Sequence, residues 1–270
     1  MSEKPVRLES SLHRKIWGVS SLEPWFHSEG GRIGEVWFED PGPDPLPILV
    51  KFIFTSERLS VQVHPDDAYA RAHEGSPGGK TEMWYVLRAE PGATIAAGFL
   101  EPITLERARE AAISGEIEHL LRWWPASPGQ VYFIPAGTVH ALGAGITVCE
   151  IQQNNPITYR LYDYGRPREL HLKRGLEVSV LEPHPGPVAP QGNLLAACPH
   201  FVTERLVQTE PLYRPDPARF HLLIALEGGG RLGRERFEAG DAWYVPAGAE
   251  PFPLVMQPGS LMLRTYVPAA

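Results

Sequence analysis

The chain has 270 residues and a hydrophobic fraction of 43%, enough for one large domain or two small ones with a substantial buried core. Its formal net charge of −7 leaves no global basic field to attract nucleic acid, and no apolar run reaches the length a membrane-crossing helix needs. Two cysteines, Cys149 and Cys198, are too few for a disulfide framework or a cysteine-based zinc site.

The opening MSEKPVRLES lacks the apolar stretch of a secretion signal, so the cytoplasm is the expected compartment. Further on, short runs rich in β-branched and aromatic residues predict strands: ILVKFIF (48–54), LSVQVH (59–64), EMWYVL (82–87), TIAAGF (94–99), QVYFIP (130–135) and ITVCEIQQ (146–153). Turn chemistry separates them at 41–45, 75–79 and 128–129. Asp66 and Asp67 precede AYARAHE as helix N-caps do, and 102–121 carries apolar residues at helical spacing with a break at Gly115. A proline- and glycine-rich stretch, 182–193, then reads as a linker. Strand patterns resume in FHLLIAL (220–226), DAWYVP (241–246) and SLMLRTYV (260–267).

The two halves share a repeat. GQVYFIPAGTVH (129–140) and GDAWYVPAGAEP (240–251) both follow Gly, five residues, Pro, one residue, Gly. A strand entered and left through tight turns needs those residue types. The first copy ends in His140 where the second has Pro251, so one functional unit and one structural unit are expected.

Gln62 and His64 are two apart on a predicted strand and share a face. Glu82 opens another strand, and His140 follows the Pro-Ala-Gly turn. If inward positions of several strands converge, these four form a site for one zinc or another first-row divalent ion. The plain alternative is that each histidine is an ordinary core or surface residue.

The repeat resembles the second motif of the cupin superfamily. LSVQVHPDD (59–67), GKTEMWYVL (79–87), GQVYFIPAGTVHALGAG (129–145) and EIQQNNPITYRLYDYGR (150–166) resemble the type I mannose-6-phosphate isomerases, in their short bacterial form. KIWG (15–18) and GEVW (34–37) fit as well. The resemblance covers residues 12–170 well and the C-terminal part loosely. It implies a mainly β fold of two cupin-type (jelly-roll) barrels with a small helical insertion in the N-terminal half. Residues 1–181 would form the metal-binding catalytic barrel, 182–193 the linker, and 194–270 a second barrel without a metal site. It further implies a zinc-dependent interconversion of mannose 6-phosphate and fructose 6-phosphate, with Gln62, His64, Glu82 and His140 as ligands and Lys80 and Arg160 in the active site. Some longer members have a histidine where this chain has Gly79, and some relatives have an acid where Asn155 and Pro156 stand.

Aldose–ketose isomerisation moves a proton between two carbons through an enediol, whose oxygens a Lewis acid or fixed cation stabilises. Lys80 lies two residues before Glu82 and would share its face, where a neighbouring cation and burial would lower its pKa; otherwise it is a solvated surface lysine. Arg160 would clamp a phosphate or an enediolate oxygen, or else pair with Asp163. Lys51, a charge in an apolar run, is either an edge-strand device or a phosphate contact. No Gly-rich phosphate loop is present, so such side chains must recognise the small-molecule sugar phosphate. A monomer or homodimer is expected. The competing readings are a non-catalytic sugar-phosphate sensor and a metal-dependent cupin oxygenase.

Overall fold

A computed structural model describes residues 4–28, 30–39, 41–42, 44–207 and 210–269. The chain is mainly β, with four sheets and four short helices among the described residues. One antiparallel sheet has six strands in the order Ser10–Val19, Ile33–Phe38, Ile48–Thr55, Ile146–Gln153, Glu82–Ala89 and Val131–Ile134. A five-stranded sheet faces it, ordered Tyr159–Tyr162, Val61–Val63, His140–Leu142, Thr94–Phe99 and Leu121–Pro125. Trp84, Val86, Ile146 and Val148 of the first sheet meet Ile95, Ala97 and Leu142 of the second. The inward positions therefore converge between two facing sheets, as in a jelly roll.

The other face of the six-stranded sheet is buried too. Alternate residues Val50, Phe52, Phe54, Met83, Tyr85 and Ile151 pack on Leu222, Ile224 and Leu263 of a second six-stranded sheet. That sheet runs Val6–Arg7, Ala242–Val245, His221–Glu227, Leu261–Tyr266, Val202–Arg205 and Leu194–Ala197. A strand covered on both faces has no solvent side, which is why ILVKFIF and ITVCEIQQ show continuous apolar character instead of alternation. The second sheet's far face packs Leu223, Trp243 and Met262 against Leu254 and Phe237 of a four-stranded sheet. The two halves thus meet through one continuous core. Val6–Arg7, near the chain's start, pairs with Trp243 and Tyr244 in the C-terminal half. The proline-rich stretch lies along the N-terminal half, bridging Gly98 to Pro183 and Val131 to Val188.

The helical insertion covers the outer face of the five-stranded sheet. Leu105–Ser114 is capped by Thr104, whose Oγ1 accepts from Arg107 N, and it stops at Gly115 with φ 86°. Its Ala108, Ala111 and Ala112 let the helix sit close to Val61, Val63 and Ala141. The short helix Ile117–Leu120 follows. Asp66 caps Asp67–Glu74 by accepting from Tyr69 N, as the sequence predicts. A fourth helix, Leu172–Val178, carries no sequence signal: it has no side-chain cap and contains Gly175. A Cβ there would lie 2.6 Å from Leu161 Cδ2, so packing selects glycine against its low helix propensity. No helix among the described residues is long and apolar enough to cross a membrane.

Candidate metal centre and active site

Gln62 and His140 are direct partners across two neighbouring strands of the five-stranded sheet, and His64 follows on the Gln62 strand. Glu82 faces them from the six-stranded sheet. His64 Nε2 lies 3.5 Å from Glu82 Oε2, and His140 Nε2 lies 3.4 Å from Oε1. Ligand atoms of all three lie within 4.8 Å of one another. Each imidazole bonds a backbone carbonyl through Nδ1, His64 to Ile157 O at 2.9 Å and His140 to Thr138 O at 2.8 Å. That bond fixes the tautomer and leaves Nε2 as the free lone pair. Burial, with Lys80 adding to it, holds His64 well below its ordinary pKa. Burial likewise lowers His140 to about 4, so both rings are neutral at pH 7.

The donor set fits a divalent cation. Both Glu82 oxygens are buried without a well-directed hydrogen bond, although Lys80 Nζ lies 3.2 Å from Oε2. Burial raises the Glu82 carboxyl to about 8 despite Lys80, which marks a carboxylate short of positive charge. Two neutral Nε2 donors beside it complete the type of cluster that divalent metals occupy. Gln62 has its amide nitrogen 3.3 Å from His140 Nε2, and turning the amide over presents its oxygen instead.

Above this floor opens a cavity of about 270 Å³, lined among others by Trp17, Trp37, Lys51, Gln62, Lys80, Glu150 and Arg160. Lys80 is buried, with Nζ 3.3 Å from His64 Nε2, and is therefore no surface lysine. Burial lowers its pKa, but Glu82 and Glu150 outweigh burial and raise it when only the protein's charges act. A dication at Glu82 would push the other way.

Lys51 sits on an internal strand, which removes the edge-strand reading. Its ammonium donates to Gln152 Oε1 at 2.7 Å, lies 3.3 Å from Glu150 and stands 4.3 Å over the Trp37 ring. The Arg160–Asp163 pairing is also not formed as an ion pair. Asp163 is forked onto Arg168 and contacts Arg166, while Arg160 Nε is buried without a partner. Trp17 and Trp37 line the cavity, whereas Trp84 is core, with its ring edge-on to His140 at 5.3 Å.

Sequence reasoning missed Glu150 and Gln152. Both point inward on the Ile146–Gln153 strand, and Trp84 Nε1 donates to Glu150 at 2.9 Å. Burial alone would raise the Glu150 carboxyl, but Lys51 and Lys80 bring it down to about 2. The available signal was an acid inside the apolar run ITVCEI. The two departures from the longer pattern also have structural accounts. A Cβ at Gly79 would lie 2.4 Å from Pro65 O and Asp66 C, so no side chain fits there without moving the His64 loop. Asn155 clips the 76–79 turn, donating to Ser76 Oγ and Gly78 O.

The second repeat explains why one site is found. Gly129 and Gly137 (φ 85° and 87°) match Gly240 and Gly248 (φ 97° and 75°). Glu82 pairs with Ile134, and His221 pairs with Val245 at the corresponding point. His221 Nδ1 is taken by Tyr213 Oη at 2.7 Å, and Pro251 stands where His140 would. Among the described residues, the one cluster of metal-ligating type is in the N-terminal half.

Two stacked units of facing antiparallel sheets, one with a buried His–Glu–His cluster beside a cavity lined by several cations, make a cupin-like fold with one cluster of the type that divalent metals occupy. No family model matches the chain. Mannose-6-phosphate isomerase ManA of Bacillus subtilis is 36% identical over 307 aligned positions, covering 94% of this chain and 96% of that protein. The crystal structure of mannose 6-phosphate isomerase from Bacillus subtilis superposes with a TM-score of 0.84 at 26% identity, over 97% of this chain and 99% of that one. A zinc-bound mannose 6-phosphate isomerase shares the fold, with a TM-score of 0.76 at 15% identity over 98% of this chain and 100% of that chain. The chain belongs to the mannose-6-phosphate isomerase family.

Proposed function

We propose that this enzyme interconverts mannose 6-phosphate and fructose 6-phosphate through an enediol, using the N-terminal cavity as its active site. The observation that carries the reading is the placement of Lys80 between His64 and Glu82 on the cavity floor. His64, Glu82, His140 and Gln62 would hold the metal, which we take to be zinc. Bound there, it would supply Lewis acidity toward the sugar's oxygens.

The chain's own groups divide the remaining work. Lys80 Nζ, held between His64 and Glu82, hydrogen-bonds the sugar's carbonyl oxygen and stabilises the negative charge that develops on it. Lys51 is held in place by Gln152 and Glu150 and contacts sugar hydroxyls. Glu150, fixed by Trp84 and ionised, accepts from a hydroxyl. Arg160 binds the phosphate. Trp17 and Trp37 narrow the cavity and displace water. A phosphorylated sugar is too polar to leave the cell unaided, so the cytoplasm is the fitting compartment.

The test is a coupled assay of fructose 6-phosphate formation from mannose 6-phosphate, with and without chelator. Turnover that falls on chelation and returns with zinc is expected. Absence of turnover in fully metal-loaded protein rules the proposal out.

A further inference from the structure

Five cationic side chains line the cavity, Lys15, Lys51, Lys80, Arg160 and Arg168, together with His171. They differ in what balances them. Lys15 lies 3.2 Å from Glu35, Lys51 lies 3.3 Å from Glu150, and Lys80 lies 3.2 Å from Glu82. Each lysine charge thus has a carboxylate of its own. The opposite wall, made of Pro156, Thr158, Arg160, Arg168 and His171, brings no carboxylate to the cavity among the described residues.

Two acids lie near that wall. Glu169, 3.9 Å from His171, has an exposed side chain outside the lining. Asp163 is buried behind the wall and grips Arg168 through Nε and Nη2, both at 2.6 Å. Arg166 contacts the same carboxylate at 3.4 Å and Glu57 at 2.9 Å. The fork fixes the plane of Arg168 and leaves its Nη1 edge for another anion. Arg160 has no such partner, and burial together with the charge of Arg168 disfavours its cation. Asp163 balances Arg168 but is shared with Arg166, and Arg160 forms no ion pair among the described residues, so this wall carries surplus positive charge that favours an anion held between Arg160 and the free Nη1 edge of Arg168.

We propose that Arg168, oriented by Asp163, is the second arm of the phosphate seat beside Arg160, so that the sugar's phosphate end lies at this wall and its carbonyl end at Lys80. The assignment rests on the isomerase reading. Arg160 pairs with Gln62 across neighbouring strands, so seat and floor belong to one rigid sheet. Arg168 is then the residue that distinguishes phosphorylated from free sugar, and Asp163 is its positioning residue.

The experiment is calorimetric titration of metal-loaded protein with inorganic phosphate, alongside kinetics with mannose 6-phosphate. Arg168→Gln should weaken phosphate binding and raise KM roughly ten- to a hundredfold, the worth of one charge-assisted hydrogen bond. Its kcat should stay within about threefold of the parent, because a remote binding contact is lost rather than a reacting group. Arg168→Lys should recover only part of the affinity, since lysine cannot fork onto Asp163. Lys15→Gln, on the neutralised wall, should change phosphate affinity by less than about threefold. The assignment is overturned if Arg168→Gln binds phosphate like the parent, loses kcat without KM, or loses less than Lys15→Gln. Phosphate binding requires no turnover. Protein that binds phosphate through Arg168 yet does not isomerise mannose 6-phosphate therefore sinks the isomerase reading alone.

Discussion

Replacing Lys51 with Met keeps the aliphatic stem and deletes the ammonium that faces Glu150. The two side chains are 6% and 4% exposed, so solvent screens their interaction little. The Glu150 carboxyl falls from 4.5 to about 2 in the folded protein, which corresponds to roughly 3 kcal/mol favouring its ionised form. Because the folded-state value is the lower one, this stability is present above about pH 4.5 and is lost as the pH falls toward 2. Lys51 itself lies below its usual pKa because burial outweighs Glu150. The pair as a whole is thus near break-even, and the large cost comes from leaving one charge behind. Lys51→Met should lose about 3 kcal/mol at pH 7, and the deficit should shrink as the pH falls from about 4.5 toward 2 and Glu150 takes up its proton. The double variant Lys51→Met with Glu150→Gln should be clearly more stable than the sum of the two single losses implies. Urea unfolding followed by tryptophan fluorescence measures all four proteins. Additive losses, or a Lys51→Met protein as stable as the parent, would refute the reasoning.

Three other outcomes are expected. His140→Ala removes one neutral Nε2 donor and should lower bound zinc, measured by elemental analysis, together with activity; full zinc content in an inactive variant would contradict the ligand assignment. Lys80→Met should keep its metal while kcat falls by about a hundredfold or more, read from steady-state kinetics on protein of measured zinc content. Gly79→Ala drives a Cβ to 2.4 Å from backbone atoms of Pro65 and Asp66, so it should cost about 1–3 kcal/mol in denaturant unfolding and weaken zinc binding by displacing His64; an unchanged zinc affinity would show that this loop tolerates the shift.

Much of the fold is legible locally. ITVCEIQQ is the strand Ile146–Gln153, residue for residue, and Thr104, Asp66 and Gly115 mark helix ends by their own hydrogen bonds or positive φ. The glycine and proline spacing of the repeat shows where the chain turns, and the Gln62–His64 alternation shows which side chains share a face. These features depend on a residue and a few neighbours, so periodicity and turn chemistry reveal them.

Other features required the tertiary structure. Lys51 meets Gln152 across a sequence separation of 101, and the place of its strand inside the sheet together with that contact makes the charge part of a cavity and not an edge device. The direction of the Lys80 pKa depends on Glu82, two residues away, and then on Glu150, which no spacing rule connects to it. Asp163 pairs with Arg168 rather than Arg160 because the turn at 163–166 carries Arg168 back onto the buried carboxylate. The sequence by itself determined the strand types, the turns, the repeat and the inventory of metal-ligating side chains. Only tertiary packing decided which sheets stack and which charges are left unbalanced, because electrostatic partnership in a buried site is a matter of distance in space and not along the chain.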